Sequence, residues 1–249
     1  MKSLDESGLL DYINFACLVI SPLIIVVTLE RTLRIIKIIK EKIIRQRIFW
    51  TGMAVVFSFL FVELDFIAVL FSLSYDELVV VRRPVGAIAT IAFYKIIENL
   101  IDSSTKFRIE KALKERFEKN KSWLKAIVII LVFVLFISPF YLDSDIYIYF
   151  TFVIGLSLLL FLFTSIIALN ETRKVLKDRK TIEFTKYILI ALIIFIIVPF
   201  VNVVSIILNV PPRYNILRII LIVPYIFSFY EASKNFIEVR SEIELESLR

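Results

Sequence analysis

The stretch WTGMAVVFSFLFVELDFIAVLFSL, residues 50–73, decides the fold class of this chain. It is 24 residues long, and a helix that rises about 1.5 Å per residue needs about 20 residues to cross the hydrocarbon of a bilayer. Its only ionisable residues are Glu63 and Asp65. The stretch therefore predicts a membrane-spanning helix that carries two carboxylates at depth, where ionisable groups are costly and usually functional.

The composition of the whole chain agrees with this interpretation. Of its 249 residues, 59% are hydrophobic, whereas soluble domains average about 45–50%. Four glycines and seven prolines interrupt the chain, which favours long helices. With no histidine and one cysteine, Cys17, the chain can form neither an internal disulfide nor a ligand cluster of the His/Cys type. We therefore expect no metal and no cofactor.

Seven apolar runs have the length of a membrane-spanning helix. We predict an all-α polytopic membrane protein of the cell membrane, with one seven-helix domain over residues 1–232 and a short cytoplasmic helical tail over residues 233–249. The runs, here called spans 1–7, are Tyr12–Thr28, Phe49–Leu73, Val85–Ile101, Leu124–Tyr141, Tyr147–Leu169, Tyr187–Val210 and Ile216–Ala232.

The positive charges predict the orientation of these spans. Of the 30 lysines and arginines, 24 lie in residues 31–47, 106–125, 173–186 and 233–249, which all fall on one side of a seven-span arrangement. Because cytoplasmic loops are enriched in Lys and Arg, the N-terminus is predicted outside and the C-terminus in the cytoplasm.

The same placement argues that the net charge of +6 is a topology signal and a contact with lipid headgroups, not a nucleic-acid face. The segment KFRIEKALKERFEKNK, residues 106–121, has apolar residues at four-residue spacing. This pattern predicts an amphipathic helix that lies on the headgroups or docks a partner. The expected partners are the lipid bilayer and, in addition, either a cytoplasmic signalling protein or a second copy of the chain.

The charged residues inside the spans are the candidate ligand or ion site. Counted from the ends of spans 2 and 3, Glu63 and Lys95 lie at the same depth, about 15 Å, which predicts an ion pair. Asp65 is expected to meet Arg82, Arg83 or Arg218. The residues with this predicted site role are Glu63, Asp65, Tyr94, Lys95, Glu98 and Asn202.

Span 3 carries its charges as one stripe, because Lys95, Glu98 and Asp102 follow at i, i+3 and i+7. The stripe leads to the cytoplasmic end, where Asp102, Glu231 and Lys234 are predicted to couple the site to the tail. A Glu98–Lys234 pair is a second candidate. Two interpretations stay open: the pairs only fix helix register, or they form a ligand site or a proton-coupled switch.

The segment IVPYIFSFYEASKNFIEVRSEIELESL, residues 222–248, runs from span 7 into a charged helix without a break. In this and in its topology, the chain resembles the seven-helix sensor regions of prokaryotic membrane signalling proteins. The resemblance implies a receptor- or sensor-like bundle that signals through its cytoplasmic loops and tail. A small-solute or ion transporter that uses the buried charges is the alternative, and an assembly subunit is a third. No catalytic motif is present, so an enzyme is not expected.

Overall fold

The computed structural model describes residues 42–71, 74–105, 110–177, 179–196 and 200, together with nine positions between 23 and 37. Within the helices, it leaves out the side chains of residues 59, 62, 63, 65–70, 75, 180, 191, 194 and 195. Of the described residues, 94% are helical and none lies in a strand. The predicted all-α class is therefore confirmed for this part of the chain.

Five α-helices follow one another through the described residues. They are α1 (Lys42–Phe71), α2 (Tyr75–Thr105), α3 (Lys111–Ile137), α4 (Ile146–Val175) and α5 (Arg179–Phe195). A short 3₁₀ turn, Ser138–Tyr141, extends α3 and contains Pro139. The apolar part of each helix overlaps one of the predicted spans 2–6.

Helix α2 begins ten residues before the predicted span 3, because its first turn is capped. The backbone N–H of Glu77 is a donor to Ser74 Oγ at 3.3 Å, and Glu77 Oε2 in return accepts from the backbone N–H of Ser74 at 2.9 Å. This reciprocal arrangement is a capping box, which stabilises the start of a helix. Pro84 then lies inside the helix.

Side-chain contacts show that successive helices run antiparallel. The start of α1 contacts the end of α2 through Arg47 and Asn99, and the start of α3 contacts the end of α2 through Lys121 and Asp102. We call this side of the bundle, where α1, α3 and α5 begin and α2 and α4 end, the basic end. The other side, where α1 and α3 end and α2 and α4 begin, is the opposite end.

The interior of the bundle is apolar. The larger cluster of buried side chains joins all five helices, and it includes Ala54, Ile97, Phe117, Phe161 and Phe184. A smaller cluster, built on Ala87, Leu131 and Ile154, lies nearer the opposite end. Buried hydroxyls such as Thr51, Ser165 and Thr172 donate to the carbonyl one turn earlier on their own helix. These bonds satisfy polar groups that the core could not otherwise hold.

The described part of segment 106–121, which is predicted to be an amphipathic helix on the headgroups or at a partner, belongs to a longer helix. Its residues from Lys111 onward form the first turns of α3, which continues without a break into span 4. Phe117 is fully buried in the larger core cluster, and Leu113 packs against it. Burying a phenylalanine side chain stabilises by about 1.5–3 kcal/mol relative to leaving it in water, so these turns stay on the bundle.

Three helices among the described residues are long and apolar enough to cross a membrane: α2 from Asp76, α3 together with its 3₁₀ turn, and α4. Span 7, most of span 1, most of span 6 beyond Phe195, and the tail after residue 232 lie outside the described residues. The count of seven and the orientation of the termini stay predictions.

Candidate functional site

A buried arginine joins three helices at the basic end. Arg47 of α1 is 4% exposed. Its guanidinium donates to Asn99 Oδ1 at 3.1 Å and Ser103 Oγ at 2.8 Å on α2, and to Thr181 Oγ1 at 3.5 Å on α5. The planar fork of an arginine suits such divergent contacts, because its donors point in fixed directions. Arg47 therefore fixes how α1, α2 and α5 meet.

One turn deeper on α2, two residues converge on the carboxylate of Glu98. Glu98 accepts a hydrogen bond from Tyr94 Oη at 2.8 Å on one oxygen, and forms an ion pair with Lys95 Nζ at 2.6 Å on the other. Tyr94 is buried, whereas the Lys95 and Glu98 side chains keep 39% and 20% of their surface exposed. Among the described residues, both groups that contact this carboxylate belong to α2 itself.

The polar stripe continues from α2 onto α3. Asp102, one turn after Glu98, forms an ion pair with Lys121 of α3, with Oδ1 and Nζ 2.7 Å apart. The carboxylate of Glu98 also attracts the Lys121 ammonium electrostatically. The stripe from Tyr94 to Asp102 is thus connected to the first turns of α3.

A further ion pair links α3 to α4 at the basic end. Glu171 of α4 binds Arg116 at 2.6 Å through one oxygen and accepts from Asn120 Nδ2 at 2.8 Å through the other. The Glu171 side chain is 15% exposed. Because both of its oxygens are occupied by α3, this residue fixes the α3–α4 contact, as Arg47 does for α1, α2 and α5.

The opposite end has its own basic residues. Arg83 of α2 donates to Tyr147 Oη of α4 at 3.1 Å. The guanidinium carbon of Arg82 lies 4.2 Å from the centre of the Phe61 ring on α1, a favourable cation–π distance. Asp65 follows Phe61 by four residues, so its backbone lies on the same face of α1.

These contacts define the register of α1 on α2. Phe61 lies level with Arg82 and Gly86, since a Cβ atom placed on Gly86 would be 3.1 Å from the Phe61 ring. Glu63 is two residues beyond Phe61 towards the opposite end, and Lys95 is nine residues beyond Gly86 towards the basic end. At about 1.5 Å per residue, the two backbones are separated by about 16 Å along the axis.

This separation argues against the predicted Glu63–Lys95 ion pair, which stays a prediction because the Glu63 side chain is outside the described part. The prediction measured the depth of Lys95 from Val85, whereas α2 starts at Tyr75. Lys95 pairs with Glu98. The predicted contact of Asp65 with Arg82 stays a prediction, as does one with Arg83, since the Asp65 side chain is outside the described part.

The other predicted site residues divide into two groups. Tyr94, Lys95 and Glu98 lie together, and Asp102 follows one turn later on the same helix. Asn202, Glu231 and Lys234 lie outside the described residues, and with them the Glu98–Lys234 pair and the contact of Asp65 with Arg218. The described residues contain no group of three His, Cys, Asp or Glu side chains that could hold a metal ion.

Sequence reasoning missed Arg47, which it counted with the basic loop residues. A signal was available in the spacing of α1. Thr51 and Val55 are buried on one face of this helix, and Arg47 lies one turn before Thr51 on the same face. Extending that buried face backwards would have placed Arg47 inside the bundle.

Fold and site together define a helical protein whose apolar helices are compatible with a membrane and whose polar side chains join neighbouring helices at one end. No family model, curated protein or solved structure matches this chain. The function is therefore argued from the site alone.

Proposed function

We propose that this chain is a non-enzymatic, receptor- or sensor-like membrane protein that couples the polar site on α2 to the basic end of the bundle. The site consists of Tyr94, Lys95 and Glu98. The output passes through Asp102 and Lys121 to the first turns of α3, and from there to the loops and tail that the charge pattern predicts in the cytoplasm.

The contacts of Glu98 carry this proposal. An ion pair that only fixes the register of two helices has its partners on different helices, as Glu171 and Arg116 do. Tyr94 and Lys95 are on the same helix as Glu98, so their contacts with its carboxylate add nothing to helix register. This favours the functional interpretation of the two that the sequence left open.

The position of the charges along α2 supports the same conclusion. Only eleven uncharged residues separate Arg83 from Lys95, whereas the hydrocarbon of a bilayer needs about 20. If α2 crosses the membrane, some of its charged groups lie within or at the edge of the hydrocarbon. Such groups are expensive there and are usually found at substrate, ion or signal sites.

Electrostatics supplies the coupling step. Glu98 and Asp102 both attract Lys121, which belongs to α3. Neutralising Glu98, by protonation or by a bound cation, frees Lys95 and weakens the attraction on Lys121. The contact between α2 and the start of α3 then loosens, which changes the surface presented at the basic end.

The test is amide hydrogen exchange on the full chain in liposomes, with Glu98→Gln compared to the native protein. We expect faster exchange in residues 111–121, because Lys121 loses part of its attraction to α2. The matched control is Glu115→Gln, which removes the same charge from an exposed position on α3. Unchanged exchange in Glu98→Gln, or an equal effect in the control, would contradict the coupling.

The same liposomes distinguish a sensor from the transporter that the sequence also allows. A pH-sensitive dye inside the vesicles reports proton movement, and we expect the native protein to give no more than empty vesicles. Proton flux that is present in the native protein and lost in Glu98→Gln would favour transport and would overturn the sensor proposal.

A further inference from the structure

The outward face of α4 is apolar from Tyr149 to Ile167. Exposed positions recur at alternating spacings of four and three residues, which places them on one side of the helix. Each of them is a large apolar or aromatic side chain. They are Tyr149, Val153, Leu156, Leu160, Phe163 and Ile167. The outward face of a helix in water carries polar residues instead, so this face is built for another environment.

Helix α3 and its 3₁₀ turn present a matching stripe. Its exposed large side chains begin at Trp123 and end at Phe140 and Tyr141, with Ile130 and Phe133 between them. No charged residue occurs from Ala126 to Leu142. Because α3 packs against α4 through Leu131, Leu135 and Ile154, the two stripes flank one another on the outside of the bundle.

The two stripes have the length of a bilayer's hydrocarbon. Trp123 and Tyr141 are 18 residues apart, and so are Tyr149 and Ile167; each distance is about 27 Å along a helix, against about 30 Å of hydrocarbon. The α3 stripe has an amphipathic aromatic ring at both ends, Trp123 and Tyr141, and the α4 stripe has one at the opposite end, Tyr149. Tryptophan and tyrosine are enriched where a membrane meets water.

The size of the side chains argues for lipid over a second copy of the chain. Helices that associate within a membrane place small residues at their interface. On α4 the small residues Gly155, Ser157 and Ser165 are buried against the bundle, and the outward stripe holds only large ones. The close-packing face is therefore already used inside the chain.

We propose that the α3–α4 stripe, from Trp123 on α3 and Ile167 on α4 at the basic end to Tyr141 and Tyr149 at the opposite end, is the surface that contacts the acyl chains of a bilayer. The membrane boundary at the basic end lies at Trp123. Asp102 is held by Lys121, two residues before Trp123. Lys95 and Glu98 then lie within about 10 Å of that boundary, close enough for the lysine to reach water.

Tryptophan quenching by brominated phospholipids tests this proposal on the full chain in liposomes. The chain has two tryptophans, so Trp50→Phe leaves Trp123 as the single reporter. We expect Trp123 to lose more emission with bromine high on the acyl chain, at carbons 6 and 7, than with bromine at carbons 11 and 12. A triple variant, Trp50→Phe, Trp123→Phe and Phe133→Trp, moves the reporter about 15 Å along the stripe. We expect this reporter to lose more emission with bromine at carbons 11 and 12 than at carbons 6 and 7.

The control is Trp123→Phe, which leaves Trp50 packed against the buried core and is expected to lose less emission than either reporter on the stripe. Absence of quenching at both positions 123 and 133 would overturn the proposal. So would efficient disulfide formation between copies of a Cys17→Ser, Phe133→Cys chain, because another protein molecule would then cover the stripe. These outcomes do not depend on the coupling through Glu98, which hydrogen exchange tests separately.

Discussion

A single arginine side chain accounts for much of the order at the basic end. Arg47 is almost fully buried, yet it is bound through hydrogen bonds to side chains of two other helices. A buried charge is tolerated only when its donors are satisfied. The position therefore requires both the charge and the shape of the guanidinium.

Replacing Arg47 with methionine is expected to lower the stability of the bundle by about 1–3 kcal/mol, since Asn99, Ser103 and Thr181 lose a buried partner. Arg47→Lys is expected to recover only part of the loss, because an ammonium lacks the planar fork. Thermal unfolding of the full chain in detergent measures both effects. The control is Arg45→Met on the exposed side of the same turn, and an equal loss there would contradict the role of Arg47.

The sequence predicts side-chain contacts within one helix better than contacts between two helices. Tyr94, Lys95 and Glu98 share a face because helical spacing alone brings them together, and the structure has them in contact. The predicted pairing of Lys95 with Glu63 on another helix follows less directly from the sequence, because such a contact depends on the axial register of two helices. That register is set by packing between side chains such as Phe61 and Gly86, which periodicity does not reveal.

Among the elements, α1 closely approaches the segment that precedes it at Gly52. A Cβ atom added there would be 2.5 Å from Thr32 Oγ1 and 3.0 Å from Thr32 Cβ, in the segment that precedes α1. Atoms at these distances overlap, and the β-branched threonine has little freedom to move away. The glycine thus permits a close contact between two stretches of the chain.

Gly52→Ala is expected to destabilise the protein, because overpacking costs about 1–3 kcal/mol and outweighs the gain in helix propensity of up to about 1 kcal/mol. Adding Thr32→Ala to Gly52→Ala is expected to restore much of the loss, since it removes the overlapping Oγ1 and Cγ2 atoms. Thermal unfolding in detergent measures each variant. Gly86→Ala is the comparison, because its nearest contact is the edge of the Phe61 ring at 3.1 Å; strictly additive effects of Gly52→Ala and Thr32→Ala would contradict the explanation.

The apolar runs predict the bounds of the helices, but they underestimate the length of a helix whose first turns are polar. The capping box at Ser74 and Glu77 starts α2 before its apolar part. In the same way, Phe117 holds the charged first turns of α3 on the bundle. Both signals are local and were present in the sequence, but a count of apolar residues does not include them.

For the molecule as a whole, the charge pattern predicts which end faces the cytoplasm. Two exposed residues lie in connections at opposite ends, Asp143 between α3 and α4 and Lys177 between α4 and α5. In a Cys17→Ser background, a cysteine at 143 is expected to react with a membrane-impermeant maleimide on intact cells. A cysteine at 177 is expected to react only after permeabilisation, because the basic loops are retained inside.

Labelling of both cysteines on intact cells, or of neither, would contradict an α4 that crosses the membrane. Labelling of 177 alone would reverse the orientation. A cysteine at exposed Glu115, near the start of α3, provides a matched check because it lies at the same end as 177 and is expected to behave in the same way.

Composition and run length were sufficient to predict an all-helical chain and the approximate positions of helices α1–α5. They are sufficient because a segment that crosses a bilayer must satisfy its backbone polar groups internally, and a helix does so. The network at the basic end required more, because Arg47, Asn99 and Thr181 come from three helices that are far apart in sequence. Their meeting depends on the packed arrangement of the bundle.

The connections at the opposite end have a practical consequence. Three residues separate α1 from α2, and four separate the 3₁₀ turn at the end of α3 from α4. In the second connection the backbone N–H of Ser144 donates to the Tyr141 carbonyl at 3.1 Å, and that of Tyr147 to the Ser144 carbonyl at 2.9 Å. A protease must draw an extended strand of several residues into its cleft, and an antibody needs a comparable patch of accessible chain. Neither finds one in the connection between α3 and α4, so an affinity reagent raised against this connection would require an inserted epitope.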